Sequence, residues 1–229
     1  MREKVLIVED EQILLHSIAE YLTGEGYNVV PESSPIRALI RIEQENYDLI
    51  LLDWMMPELT GIELLKKLRK FSEVPVIFLT ARGDEVEKLL GLELGADDYI
   101  TKPFSYRELV TRMRVIFRRT KPSTEPGSAT VVYGELILYV DQHQAILAGN
   151  KLNLTQTEFK ILSLLVQKPG RVWSRAQLVE SVLGAEYLGY ERSIDTHIFN
   201  LRKKCKEIQP NFQSLRTVFG VGYTWEDRV

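Results

Sequence analysis

Five short apolar runs mark the first half of the chain, at 5–8, 28–30, 49–52, 76–79 and 98–100. Several are unbroken rather than alternating, the pattern of strands covered by helices on both faces. The intervening stretches 12–23, 35–45, 61–70, 85–94 and 105–119 carry apolar residues at helical spacing, and Gly26, Gly61, Gly95, Pro57, Pro75 and Pro103 mark the joints. The alternation predicts five βα units in a doubly wound α/β domain. Ligands of such a sheet gather at the carboxyl ends of its strands.

After residue 130 the texture changes. Short alternating runs at 131–133, 136–140, 145–148 and 152–154 read as strands, with Gly149-Asn150 joining the last two as a hairpin. Thr155-x-x-Glu158 opens a helix with the capping-box pattern, and its apolar face runs through Phe159, Leu162, Leu165 and Val166 until Pro169-Gly170. Ser174-x-x-Gln177 opens a second helix, and a third runs from Arg192 to Ile208. Segments 216–219 and 223–225 flank Gly220-Val221-Gly222 as a terminal hairpin. Three helices closed by a β-ribbon make a winged helix-turn-helix of α+β type. The organisation expected is therefore a domain over 1–119, a linker over 120–130 and a second domain over 131–229.

Composition adds exclusions. The 229 residues are 45% hydrophobic and 27% charged, which is ordinary globular usage. No apolar run approaches the ~20 residues of a membrane span. The first apolar stretch ends at Glu9-Asp10, too short and too acidic for a signal peptide. A lone Cys205 cannot form an intramolecular disulfide, which fits a reducing cytoplasm. The net charge of −3 disfavours a nucleic-acid partner only as an average: residues 1–120 hold 16 basic and 21 acidic side chains, residues 121–229 hold 13 and 11.

Candidate chemistry follows the strands. Glu9-Asp10 comes after the first, Asp53 after the third, Thr80-Ala81 after the fourth and Lys102-Pro103 after the fifth. In a doubly wound sheet these ends share one edge, so the side chains can converge. Gathered carboxylates repel unless a hard cation such as Mg²⁺ neutralises them, and an ammonium and a hydroxyl beside them suit phosphate.

The quoted stretches Val8-Glu9-Asp10-Glu11, Leu52-Asp53-Trp54-Met55-Met56-Pro57-x-x-x-Gly61, Leu79-Thr80-Ala81-Arg82 and Gly95-Ala-Asp-Asp-Tyr-Ile-Thr-Lys-Pro-Phe104 closely resemble the receiver domain of two-component response regulators. The resemblance implies a flavodoxin-like sheet of order 2-1-3-4-5 and makes Asp53 the acceptor of a phosphoryl group from a sensor histidine kinase. It implies Mg²⁺ (or Mn²⁺) held by Asp10, Asp53 and the Met55 carbonyl, with Glu9 acting through a water. Lys102 and Thr80 would contact the phosphoryl oxygens, Tyr99 would turn inward behind Thr80, and the Lys102–Pro103 bond would be cis. Trp54 departs from the aliphatic residue usual there, and either packing over the pocket or a changed phosphoryl lifetime would follow. Phosphatases of the haloacid dehalogenase type also form an aspartyl-phosphate, but they place a second Asp two residues on, where this chain has Met55.

Within the third helix of the second half, Ile194, Ile198, Leu201, Cys205 and Ile208 form a core stripe. The opposite face carries Arg192, Thr196, Phe199, Asn200 and Lys203, with His197 and Arg202 on its shoulders. Five basic residues and one acid lie between Arg192 and Lys206. Such a helix fits a DNA major groove: Asn200 can pair with adenine, Thr196 and Phe199 can touch thymine methyls, and cations can meet phosphates. Residues 131–226 resemble the winged-helix effector domain of the OmpR/PhoB type, through Leu154-Thr155-x-x-Glu158-Phe159, Pro169-Gly170-Arg171-Val172-x-Ser174-Arg175-x-Gln177-Leu178, Arg192 to Lys204, and Thr217-Val218-x-Gly220-x-Gly222-Tyr223. That resemblance implies double-stranded promoter DNA as partner, a wing contacting DNA through Arg216, Thr217 and Tyr223, and a 184–191 loop able to meet RNA polymerase. Phe219 stands where the wing usually carries Arg. A winged helix used for protein contact is the other reading. The family's homodimer face of fourth helix, fifth strand and fifth helix corresponds here to Lys88, Leu89, Leu92, Glu93 and Asp98 opposite Glu108, Arg112 and Arg119. Taken together, these features lead to the expectation of a cytoplasmic, phosphorylation-switched transcription regulator with no membrane partner.

Overall fold

A computed structural model of the chain describes residues 2–81, 91, 94–120 and 130–226. It divides into two compact units, Met1–Arg118 and Arg119–Val229.

In the first unit β1 (Lys4–Val8), β2 (Asn28–Glu32), β3 (Leu49–Asp53), β4 (Val76–Thr80) and β5 (Asp98–Thr101) form one sheet in the order β2-β1-β3-β4-β5, with every pair parallel. Period-2 alternation inside the apolar runs divides their side chains between two cores. Val5, Ile7, Leu49, Leu51, Ile77 and Leu79 face α1 (Gln12–Gly24) and α4 (Tyr106–Thr120). Leu6, Val8, Ile50, Leu52, Val76 and Phe78 face α2 (Pro35–Gln44) and α3 (Gly61–Leu68). Each such side chain, withdrawn from water, contributes about 1.5–3 kcal/mol, so both faces commit the sheet to this register. Ser34 caps α2 by accepting from Arg37 N–H, and Thr60 with Glu63 makes a reciprocal capping box at the start of α3. Of the helix expected over 85–94, only Gly91 and Leu94 lie among the described residues.

In the second unit β6 (Thr130–Tyr133), β7 (Leu136–Tyr139), β8 (Gln144–Leu147) and β9 (Asn150–Leu152) pair antiparallel in sequence order. The last hairpin departs from expectation. Its turn is Ala148-Gly149, both at positive φ, and Leu147 pairs with Asn150, so the strand is 150–152 rather than 152–154. Asn150 belongs to the strand, and its side-chain amide donates back to the Ala148 carbonyl at 3.0 Å. Three helices follow, α5 (Gln156–Gln167), α6 (Arg175–Val182) and α7 (Glu191–Ile208). Thr155–Glu158 and Ser174–Gln177 form the capping boxes at the first two. A sheet of order β10-β12-β11 closes the unit, from β10 (Trp173–Ser174), β11 (Leu215–Val218) and β12 (Gly222–Trp225). Strand β10 was not foreseen, and it explains Gly222: a Cβ there would lie 1.9 Å from the Trp173 carbonyl oxygen.

Candidate functional site

The strand-end residues do converge. Carboxylate oxygens of Glu9, Asp10 and Asp53 lie within 4.8 Å of one another, with Glu9 and Asp53 buried and Asp10 exposed. Lys102 reaches across from the segment after β5, donating to Glu9 Oε2 at 2.7 Å and to Asp53 Oδ1 at 2.8 Å. Its own amide donates to the Thr80 carbonyl at 2.7 Å, tying that segment to the end of β4, and the Lys102–Pro103 bond is cis.

Burial pushes Asp53 and Glu9 above the ordinary carboxylate range, and neighbouring acids add to this, while Lys102 works the other way. Burial alone would lower the Lys102 ammonium, but its bonds to Asp53 and Glu9 outweigh that and hold it above its ordinary value. The site is thus an anionic cluster with one internal cation and an open side at Asp10. Oxygen donors so placed match the preference of a hard divalent cation.

The backbone around Asp53 is fixed by close approach. Trp54 N–H donates to the Leu79 carbonyl at 2.9 Å, and Gly61 N–H donates to the Trp54 carbonyl at 3.0 Å. A Cβ on Gly61 would stand 2.1 Å from the Asp53 carbonyl oxygen, so α3 can start this close to the end of β3 only with glycine. Trp54 does not cover the pocket. It continues the even-numbered face of β3 into the core, edge-on to Phe78 at 4.9 Å and 64°. Met55 is exposed at the mouth, Thr80 is buried, and Tyr99 is half-buried against the α2–α3 core.

On α7 the outer face presents Arg192, Phe199 and Lys203 exposed, with Thr196 and Asn200 half-exposed. The shoulder residues require correction. His197 has no exposed surface, because that side of the helix faces the domain core, so it cannot touch DNA. Arg202 turns to the wing, donating to the Leu215 carbonyl at 3.0 Å and to Thr217 Oγ1 at 2.8 Å. Tyr223 is likewise buried and donates to Asp195 Oδ1 at 2.6 Å, an oxygen also bonded by Arg175 Nε at 2.7 Å. These groups hold the wing against α7 rather than projecting from it. Arg216 is exposed and ion-paired with Glu226. The only signal of this cluster in the sequence is Asp195, the one acid between Arg192 and Lys206. In the 184–191 loop Tyr187 is buried and Leu188 is exposed.

Of the expected dimer face, Lys88, Leu89, Leu92 and Glu93 lie outside the described residues, as does the side chain of Arg119. Asp98, Glu108 and Arg112 pair within the chain, Arg112 bonding Asp98 at 3.0 Å and Glu108 at 3.1 Å.

A five-stranded parallel α/β unit with acids and a lysine at its strand ends, joined to a winged helix, defines a class of signalling protein. Residues 5–114 match the response regulator receiver domain, and residues 149–225 match the C-terminal domain of transcriptional regulatory proteins. The chain belongs to the two-component response regulators of the OmpR/PhoB type. It is 44% identical to the transcriptional regulatory protein CpxR of Klebsiella pneumoniae subsp. pneumoniae over 225 residues, 96% of this chain and 97% of that one. To the sensory transduction protein RegX3 of Mycolicibacterium smegmatis it is 41% identical over 224 residues, 97% and 98% of the two chains. A solved mutant of RitR superposes with a TM-score of 0.69 at 28% identity, covering 99% of this chain and all of that one. The protein is thus a phosphorylation-activated transcription regulator, a phosphoacceptor rather than an enzyme. No described helix is long and apolar enough to cross a membrane.

Proposed function

We propose that Asp53 is the phosphoacceptor, taking its phosphoryl group from the phosphohistidine of a sensor histidine kinase. The O–P bond to Asp53 forms as the N–P bond of the phosphohistidine breaks, and because the other ring nitrogen of the phosphohistidine carries a proton, neutral imidazole leaves. The observation that carries the reading is the convergence of Glu9, Asp10 and Asp53 within 4.8 Å beside the Lys102 ammonium. Glu9, Asp10, Asp53 and the Met55 carbonyl would hold Mg²⁺ or Mn²⁺, which supplies charge neutralisation for the carboxylates and the incoming phosphoryl oxygens. Lys102 exchanges its carboxylate partners for phosphoryl oxygen, Thr80 donates its hydroxyl, and Tyr99 fills the space behind it.

The outer face of α7 enters the major groove of promoter DNA, with Arg192 and Lys203 on phosphates and Thr196, Phe199 and Asn200 on base edges. Phosphorylation favours a homodimer through the 85–94 segment, β5 and α4, in which the Asp98–Arg112–Glu108 pairs exchange between copies. The 184–191 loop is the surface for RNA polymerase, and the site of action is the cytoplasm. The test is labelling by a small phosphodonor with Mg²⁺. Wild type is expected to gain one phosphoryl group and Asp53→Asn none; equal labelling of the variant would remove Asp53 from the role.

A further inference from the structure

We propose that Trp54 is a positioning residue of the switch. Its indole, seated in the notch that Gly91 leaves, holds Gly91 against the sheet while Asp53 is a free carboxylate, and so opposes the phosphorylated state. The inference rests on the reading of Asp53 as phosphoacceptor given above.

Trp54 directly follows Asp53, and its backbone ties that turn to both neighbours. Its N–H donates to the carbonyl of Leu79, the residue before Thr80, and its carbonyl accepts from Gly61 N–H at the start of α3. The buried ring continues the face of Leu52 and meets Phe78 edge-on at 4.9 Å. Phe78 is in turn the register partner of Tyr99 on β5. Gly91 is buried over the first two of these rings. A Cβ on it would stand 3.2 Å from Trp54 Cζ3 and 3.2 Å from Phe78 Cδ2. Carbon atoms at optimal separation keep about 3.5–4.0 Å, so any side chain at 91 would have to lift off the rings. The Gly91 carbonyl accepts from Ala96 N–H at 3.0 Å, which carries the contact on toward β5.

Gly91 is helical, and a glycine inside a helix costs stability relative to alanine. Close approach to a large ring is what glycine alone provides there. Packed interiors answer a shift by changing arrangement rather than by stretching. Because Lys102 bonds Asp53 Oδ1 at 2.8 Å, the arrangement described is that of the free carboxylate, and in it ring and notch fit. When Lys102 and Thr80 turn to phosphoryl oxygens, the end of β4 shifts. Trp54 follows through its bond to Leu79, its ring leaves the notch, and Gly91 is released. A contact made in one arrangement and lost in the other biases the equilibrium toward the first.

The experiment measures, by calorimetry, the affinity of the full chain for beryllofluoride with Mg²⁺, a mimic of the phosphoryl group. Wild type, Gly91→Ala, Trp54→Leu and the double variant are compared, with denaturant unfolding of each alongside. Gly91→Ala adds a methyl that prises the ring from the notch, and Trp54→Leu removes the ring. Each is expected to bind beryllofluoride about fivefold more tightly than wild type. In the double variant leucine leaves room for the methyl, so the gain should be no larger than that of either change alone. A contact that only packs the core would change unfolding stability and leave the affinity at the wild-type value; that result overturns the inference. Weaker binding by either single variant, or gains that multiply in the double variant, also overturn it. Should Gly91→Ala not fold, Trp54→Leu carries the same expectation by itself, and unchanged or weaker binding decides against the inference. Wild type that binds no beryllofluoride, or Asp53→Asn that binds it equally, overturns the acceptor reading itself, and the inference falls with it.

Discussion

Cys205 shows how a residue on a basic helix can be chemically silent. It is 1% exposed on the core side of α7, and burial, with the Glu158 carboxylate nearby, pushes its thiol up to about 12. The thiolate is the reactive form, so at pH 8 the folded protein should not react with a disulfide-exchange reagent, and a single thiol should appear on unfolding. Fast reaction in the native state would contradict the burial. Glu32 makes the opposite case. Burial works against its charge, but the Ser34 amide, Arg41 and Arg37 outweigh that and hold its carboxyl below the ordinary value. A carboxylate depressed on folding stabilises above its unfolded pKa, and that contribution fades as pH falls through the folded value. Glu32→Gln should therefore cost about 1 kcal/mol near pH 7, and the gap to wild type should close below about pH 4.5, the ordinary value for a glutamate. Denaturant unfolding at several pH values measures it; a gap that widens in acid would refute the assignment.

At the scale of elements, much of the fold was legible because local and tertiary demands coincide. The unbroken runs of β1, β3 and β4 signal a sheet covered on both faces, and the Thr155–Glu158 and Ser174–Gln177 spacings signal helix starts that the hydrogen bonds bear out. What escaped depends on partners the period cannot see. β10 is two residues long and has no period; only β12 makes it a strand. Helical angle put His197 and Arg202 on the shoulders of α7, but burial of a shoulder depends on what packs beside it. The core takes His197, and β11 takes Arg202. The acidic pocket was legible for a related reason: the topology alone gathers strand ends. This division of α7 is testable. Arg202→Ala removes bonds to Leu215 and Thr217 and should lower unfolding stability by about 1–3 kcal/mol. Lys203→Ala, one position on but exposed, should leave stability within about 0.5 kcal/mol and reduce the salt slope of DNA binding by about 1. A reversed pattern would exchange their roles.

For the whole molecule, charge sets a problem that the switch has to solve. The half with the phosphoacceptor pocket carries a net charge of −5, the half with α7 a net of +2. A phosphoryl group adds about −1.5 to −2 more. Acting only through net charge, phosphorylation would repel DNA, and over distances beyond the ~8 Å Debye length of physiological salt even that effect is mostly screened. Activation must therefore work by biasing a conformational or association equilibrium, and going from 1:99 to 99:1 takes ~5.5 kcal/mol of differential stabilisation. Pairing two copies is one way to turn that bias into affinity, because it presents two α7 faces to repeated half-sites. The salt slope reports how many phosphates are neutralised. Activation by pairing should make that slope roughly twice as steep for the phosphorylated chain as for Asp53→Asn, and should make apparent affinity depend on protein concentration. Activation of a lone copy would raise affinity with the slope unchanged, and that result would eliminate the dimer as the active form.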